Sequence, residues 1–229
     1  MKKIGIIAAM NEEINEVKNI MTNISEKQIY ELIFIEGNIN NKECVIVQSG
    51  IGKVNAARTT QILIDNYNLE YIVNVGSAAS LNDKLNIGDI VIGEKLIQHD
   101  FDITAFGHNK GYISNVGEYI QSDTMLVKKI YNCCSNNKIE DIKIKSGVIA
   151  SGDIFCTSEE MKNKINNKFK ADAVEMEGAA IAQVCYLDKI PFVVIRSISD
   201  TPNGNNNITF DKFLVIASKR CANIINQVI

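Results

Sequence analysis

Two short stretches of the chain place carboxylates at the ends of apolar runs: Ala173-Val174-Glu175-Met176-Glu177-Gly178 and, some twenty residues later, Arg196-Ser197-Ile198-Ser199-Asp200. A carboxylate so placed either finds a partner or has its pKa raised by burial. Phe192–Ile198 reads as a buried strand delivering Asp200 at its carboxyl end, where open α/β sheets bind ligands. Two acids arriving from separate elements suit cleavage of a glycosidic bond, which needs an acid for the leaving group and a base for water. Glu12-Glu13 follows a third apolar run, Ile4–Ala9. Taken alone, that pair reads first as a charged helical turn complementing the helix dipole.

Other motifs are weaker. Ser49-Gly50-Ile51-Gly52-Lys53 lies between a strand and a helix, where glycines let backbone approach a ligand and a helix N-terminus favours an anion. A tight strand-to-helix turn explains it equally well, and neither the P-loop nor the dinucleotide glycine spacing is present. Gly76-Ser77-Ala78-Ala79 follows another apolar run, so Ser77 either bonds a ligand hydroxyl or caps local backbone. His99 and His108 bracket Asp100 and Asp102 without further ligands at telling spacing, so no metal is expected. Cys156 has no base placed for it by the sequence and reads as an inert thiol. Phe155 and Phe210, taken singly, read as core.

These residues must be positioned by elements the periodicity outlines. Strands are expected at Ile4–Ala9, Ile29–Asn38, Glu43–Gln48, Tyr71–Val75, Asp89–Ile97, Lys143–Ala150 and Phe192–Ile198. Asn40-Asn41 marks a hairpin. Helices are expected at Glu12–Met21, Lys53–Tyr67, Thr124–Cys134 behind an N-cap at Ser122, a segment opened by Thr157 and Glu160, Met176–Leu187, and Thr209–Val228. Alternating strands and helices predict an α/β fold, a three-layer α/β/α sandwich around a mixed, mostly parallel central sheet. Residues 1–229 are expected to form one domain, without linker or repeat.

Composition narrows the function. Apolar residues make up 46% and charged residues 22%, with a net charge of −3; a nucleic-acid partner would want a basic face. No apolar run reaches the roughly 20 residues needed to span a membrane. Met1-Lys2-Lys3 before a short apolar run imitates a signal peptide, but Glu12-Glu13 follow at once, so a first buried strand is expected. Six cysteines without metal spacing read as free thiols of a reducing cytoplasm.

Together the motifs resemble one family. M-N-E-E, S-G-I-G-K, V-G-S-A, H-D-x-D-x-T-A-F-G, S-G-D-x-F, V-E-M-E-x-A-A-I-A and R-S-I-S-D appear in that order. They resemble the bacterial 5′-methylthioadenosine/S-adenosylhomocysteine nucleosidases, within the nucleoside phosphorylase/nucleosidase superfamily. The resemblance implies hydrolysis of the N-ribosidic bond of 5′-methylthioadenosine, S-adenosylhomocysteine and 5′-deoxyadenosine, in methionine salvage, without metal or cofactor and in a homodimer. It implies that Glu13 activates water and that Asp200 protonates adenine N7. Glu177 with Met176 would clamp the ribose hydroxyls. Ser77 and Arg196 would support them, and Glu175 and Ser199 fall in the same two segments. Phe155 would stack on adenine and the backbone of Cys156 would read its edge. Met10, Ile51, Ile103 and Phe210 would form the 5′-alkylthio pocket, and Phe106 would be lent across the dimer interface. Ala79-Ser80 and His108 depart from the family pattern, and Ala79 would be costly if its backbone needed positive φ.

Three rivals stay open at this stage. A phosphorolytic relative would need cations aimed at phosphate, where this chain has Asn11-Glu12-Glu13. An aminofutalosine hydrolase would share adenine and ribose. A non-catalytic nucleoside-binding protein would not demand both acids.

Overall fold

The computed structural model describes residues 2–136, 142–200 and 210–229, of which the side chains of 136 and 210–212 fall outside the description. Chain order is β1 (Lys3–Ala8), α1 (Asn11–Lys18), β2 (Thr22–Ile29), β3 (Leu32–Ile39), β4 (Lys42–Gln48), α2 (Lys53–Asn66), β5 (Leu69–Ser80) and β6 (Ile90–Gln98). A 3-10 turn at Thr104–Phe106 precedes β7 (Ile120–Gln121), α3 (Thr124–Asn136), β8 (Ile144–Ser151), α4 (Glu159–Phe169), β9 (Ala173–Glu175), α5 (Gly178–Leu187), β10 (Phe192–Asp200) and α6 (Phe210–Val228).

Period-two alternation sorts the apolar side chains onto two faces of one mixed sheet. Ile4, Ile6, Val73, Val75, Val193 and Ile195 pack with α1, α3 and α6. Ile7, Ile72, Val194 and Ile198 face the other way, against α2 and α5. A third cluster joins Ile165 and Phe169 of α4 to Ile97, Ala150 and Val174. α6 buries Phe213, Leu214, Ala217, Cys221 and Ile225 on one stripe, each larger side chain contributing roughly 1.5–3 kcal/mol. Among the described residues no helix is long and apolar enough to cross a membrane.

The layers match the expected α/β class, but the sheet also closes on itself. β5 runs through Gly76 to Ser80 rather than stopping there. Its first half pairs with β1 up to Asn74, and its last residues, Ala79 and Ser80, pair with β9 on the same edge. On its other edge β5 pairs with β10, which pairs with β6, then β8, then β9. β5, β10, β6, β8 and β9 therefore form a ring, and β1, β4, β3 and β2 extend from it.

Local differences have simple causes. β2 carries no apolar signal because it is exposed almost throughout, and pairing with β3 alone makes it a strand. Asp123, not Ser122, caps α3, accepting from the backbone N–H of Met125 and Leu126 at 2.9 Å. Ser158, not Thr157, caps α4. The Asn40-Asn41 turn has φ of 47° and 66°, as a two-residue hairpin of mirror-image type requires. Ala79 lies within β5 without positive φ, so that departure carries no backbone penalty. Thr209, where the last helix was expected to begin, lies outside the described residues.

Candidate active site

β1, β5 and β10 run parallel, and their carboxyl ends reach one cavity of about 410 Å³. Met10 and Glu13 come from the β1–α1 junction, Ser77 from β5, and Arg196, Ser199 and Asp200 from β10. Ile51 comes from the glycine loop, Phe155 and Cys156 from the segment after β8, and Glu175, Met176 and Glu177 from β9 and its exit. All twelve line the cavity. Ile103 and Phe106 do not; they belong to the loop after β6, where Phe106 is 81% exposed. The side chain of Phe210 lies outside the described residues.

Glu13 is placed by the start of its own helix. Its side chain turns back, and Oε2 accepts from the backbone N–H of Ala9 at 3.0 Å and Met10 at 3.1 Å. Oε1 accepts from Ser77 N–H at 3.1 Å. The helix-cap reading and the site reading thus describe one carboxylate. A carboxylate offers about four acceptor positions, so about one is left for water. Burial raises its pKa, outweighing the Arg196 charge and the three N–H donors. A buried carboxyl shifted upward in a cleft suits a general base.

Glu175 and Glu177 divide their tasks. Glu175 forms a fully buried ion pair with Arg196 and accepts from Ser151 Oγ. Its Oε2 also accepts from the N–H groups of Glu177 at 3.0 Å and Gly178 at 2.8 Å, capping α5. Arg196 Nη2 donates to Asn74 Oδ1 at 2.7 Å. Burial alone would raise Glu175, but Arg196 and Ser151 hold it below the ordinary carboxylate range. Among the described residues Glu177 pairs with no cation. Burial, then the Glu175 charge, push its pKa up to about 7. The glycine loop serves it: Gly52, at φ 96°, donates N–H to Glu177 Oε1 at 2.8 Å. The anion expected at the N-terminus of α2 is therefore supplied by the protein itself. Asp153 Oδ1 occupies the next N–H there, that of Lys53, at 2.7 Å.

At the other end of the register, Ser199 Oγ donates to Asp200 Oδ1 at 3.0 Å, and Lys162 of α4 pairs with Oδ2. Cys156 lies nearby, its thiol pushed up by burial. Ser77 on β5 is level with Ser197 and Ala79 with Asp200. Glu13 is thus bonded to β5 at Ser77 and Asp200 is paired with it at Ala79, two residues further along the same strand. Sequence reasoning missed Lys162, Ser151 and Asn74. They act through distant pairings and carry no local signal.

His99 is buried with its Nε2 unpartnered and its pKa lowered by burial. His108 stacks on Tyr112 with ring centroids 4.4 Å apart. Among the described residues no group of three or more His, Cys, Asp or Glu side chains is arranged to hold a metal.

Comparison with known proteins identifies the family. A sequence model of the phosphorylase superfamily matches residues 3–229. The 5'-methylthioadenosine/S-adenosylhomocysteine nucleosidase of Staphylococcus epidermidis is 42% identical over 212 residues, 92% of each chain. A crystal structure of the Helicobacter pylori 5'-methylthioadenosine/S-adenosyl homocysteine nucleosidase is 35% identical, with a TM-score of 0.92 over 99% of this chain and 97% of that one. A structure of futalosine hydrolase of Helicobacter pylori strain 26695 is 36% identical, with a TM-score of 0.92 over the same shares.

Proposed function

The chain belongs to the phosphorylase superfamily, and from that premise we propose that it hydrolyses the N-ribosidic bond of 5′-methylthioadenosine and S-adenosylhomocysteine. The products are adenine and the 5-thioribose compound. The observation that carries the reading is that two carboxylates, Glu13 and Asp200, face one cavity, and we read them as its base and its acid.

Adenine leaves poorly unless a ring nitrogen is protonated, and Asp200 is the group for that transfer, worth roughly 10²–10⁴-fold. Glu13 aligns and deprotonates water on the opposite face of the sugar. Acid and base acting on opposite faces with a water between them is the arrangement of inverting glycosidases. Glu177 accepts from the ribose hydroxyls once ionised, through charge-assisted bonds. Phe155, 62% exposed, offers a ring face to adenine, and Met10 and Ile51 an apolar wall to the 5′ substituent.

Water, not phosphate, is the nucleophile in this reading. Arg196 is neutralised by Glu175, and the N-terminus of α2 is taken by Glu177 and Asp153. An incoming phosphate would meet carboxylates. The test is adenine release from 5′-methylthioadenosine in phosphate-free buffer without added metal. Turnover unaltered by phosphate supports hydrolysis; strict dependence on phosphate sinks it.

We also read residues 1–229 as one domain, acting as a homodimer in the cytoplasm. Exposed Ile51, Ile154 and Phe155 form an apolar mouth to the cavity that a second copy would cover, its exposed Phe106, with Ile103 in the same loop, reaching in from the partner. A sedimentation mass of one chain would exclude the dimer. The six cysteines are free thiols, which suits a reducing compartment.

A further inference from the structure

α4 has an exposed face carrying Glu159, Glu160, Lys164 and Lys168 and a buried stripe of Ile165 and Phe169. Lys162 stands on the buried stripe, 5% exposed, where packing alone would choose an apolar side chain. An ammonium is costly to bury unless paired. One partner is Asp200 Oδ2, while the Asp200 side chain itself stays 40% exposed toward the cavity.

Asp200 is the last residue of β10. Among the described residues two side chains bond its carboxyl group, one to each oxygen: Lys162 on Oδ2, and Ser199 on Oδ1 at 3.0 Å. The Ser199 hydroxyl also lies 3.1 Å from Ala78 O and shares its single proton between the two. Lys162 is thus the stronger fix, a charge-assisted bond from a side chain locked by packing.

We propose that Lys162 is a positioning residue for the reaction: from α4 it fixes the plane of the Asp200 carboxyl group facing the purine and so sets the geometry of proton transfer to the leaving group. The proposal rests on the reading of Asp200 as the acid: the proton it gives up sits on Oδ1, Oδ2 stays the acceptor from Lys162, and the carboxylate left after transfer keeps the ammonium as its counter-charge. A misplacement of about 1 Å at such a group costs up to roughly 100-fold in rate. Lys162 does not line the cavity, so its removal should act on kcat far more than on KM.

The experiment compares adenine release by the wild type, K162M, K162R, D200N and K162M/D200N, with thermal unfolding of each as a folding control. Met keeps the apolar stem and Arg keeps the charge. K162M is expected to lower kcat by roughly 10- to 100-fold with KM changed less than about threefold, and K162R to retain most of kcat. In the D200N background the Lys162 substitution should cost nothing further, because the two act as a unit. A K162M enzyme with wild-type kcat overturns the proposal. So does a K162R as impaired as K162M, or a K162M effect of the same size with and without Asp200. Full activity in D200N would instead sink the assignment of Asp200, whereas an inactive D200N beside an unimpaired K162M sinks the role of Lys162 alone.

Discussion

Glu175 and Glu177, two residues apart across Met176, hold their protons in opposite ways: Glu175 is kept ionised by Arg196, and Glu177 is pushed up to about 7. Each explains the other. Arg196 is fully buried and answers one carboxylate; that carboxylate then repels the second. The pair leaves a single acceptor for a ligand, and its state is set by pH.

Glu177 therefore predicts a pH signature in both stability and binding. Its pKa is higher folded than unfolded, so its contribution to stability is complete below about 4.5 and lost as pH rises through about 7. Glu177→Gln should match the wild type near pH 4.5 and exceed its Tm at pH 8, by on the order of 5 °C. In the wild type, KM for the nucleoside should rise as pH falls below about 7, because the protonated carboxyl is a poorer ribose acceptor. Melting curves at the two pH values, with the same offset at both, would exclude this account.

Glu13→Gln should lower kcat by roughly 10²–10⁴ while substrate still binds. The amide cannot take a proton from water, and its NH₂ group confronts backbone donors that the carboxylate satisfied. Calorimetric titration of substrate into the variant, beside its turnover, separates the two effects. Wild-type turnover would refute the role of Glu13.

Asp200→Asn should lower kcat over the same roughly 10²–10⁴ range by removing the proton donor to the purine. A nucleoside whose leaving group needs no protonation should be spared. If both substrates lose rate equally, the residue serves the site in some other way.

Gly76→Ala tests the base without altering it chemically. A Cβ there would lie 3.0 Å from Glu13 Oε1 and 3.1 Å from Arg196 Nη1, with no backbone strain from positive φ. One of those groups must shift by a few tenths of an ångström. Turnover should fall about tenfold while Tm changes by a few degrees at most. An unaltered kcat would show that the carboxylate accommodates the methyl group.

What the chain's own order reveals follows the range of the interaction. β1, β4 and β10 are apolar runs between polar ends, and Asp200 was legible because it terminates one of them. Glu13 and Glu177 lie just past others. β2 was not legible: its residues are exposed, and only β3 beside it makes a strand. β9 has three residues, too few for a period. Ring closure depends on β5 exchanging β1 for β9 along one edge, a fact of three-dimensional length rather than of pattern. Lys162 was hidden among the other lysines of its helix, since its partner is 38 positions away.

β10 is hydrogen-bonded along both edges, to β5 and to β6, while Glu13 rides on a helix of eight residues. Local opening begins where few buried contacts must break. The acid thus ends a strand paired to β5 as far as Asp200 itself, and the base rides a short helix that can fray on its own. On warming, turnover should vanish before the ring melts, and restoring the cold should return it without refolding the barrel.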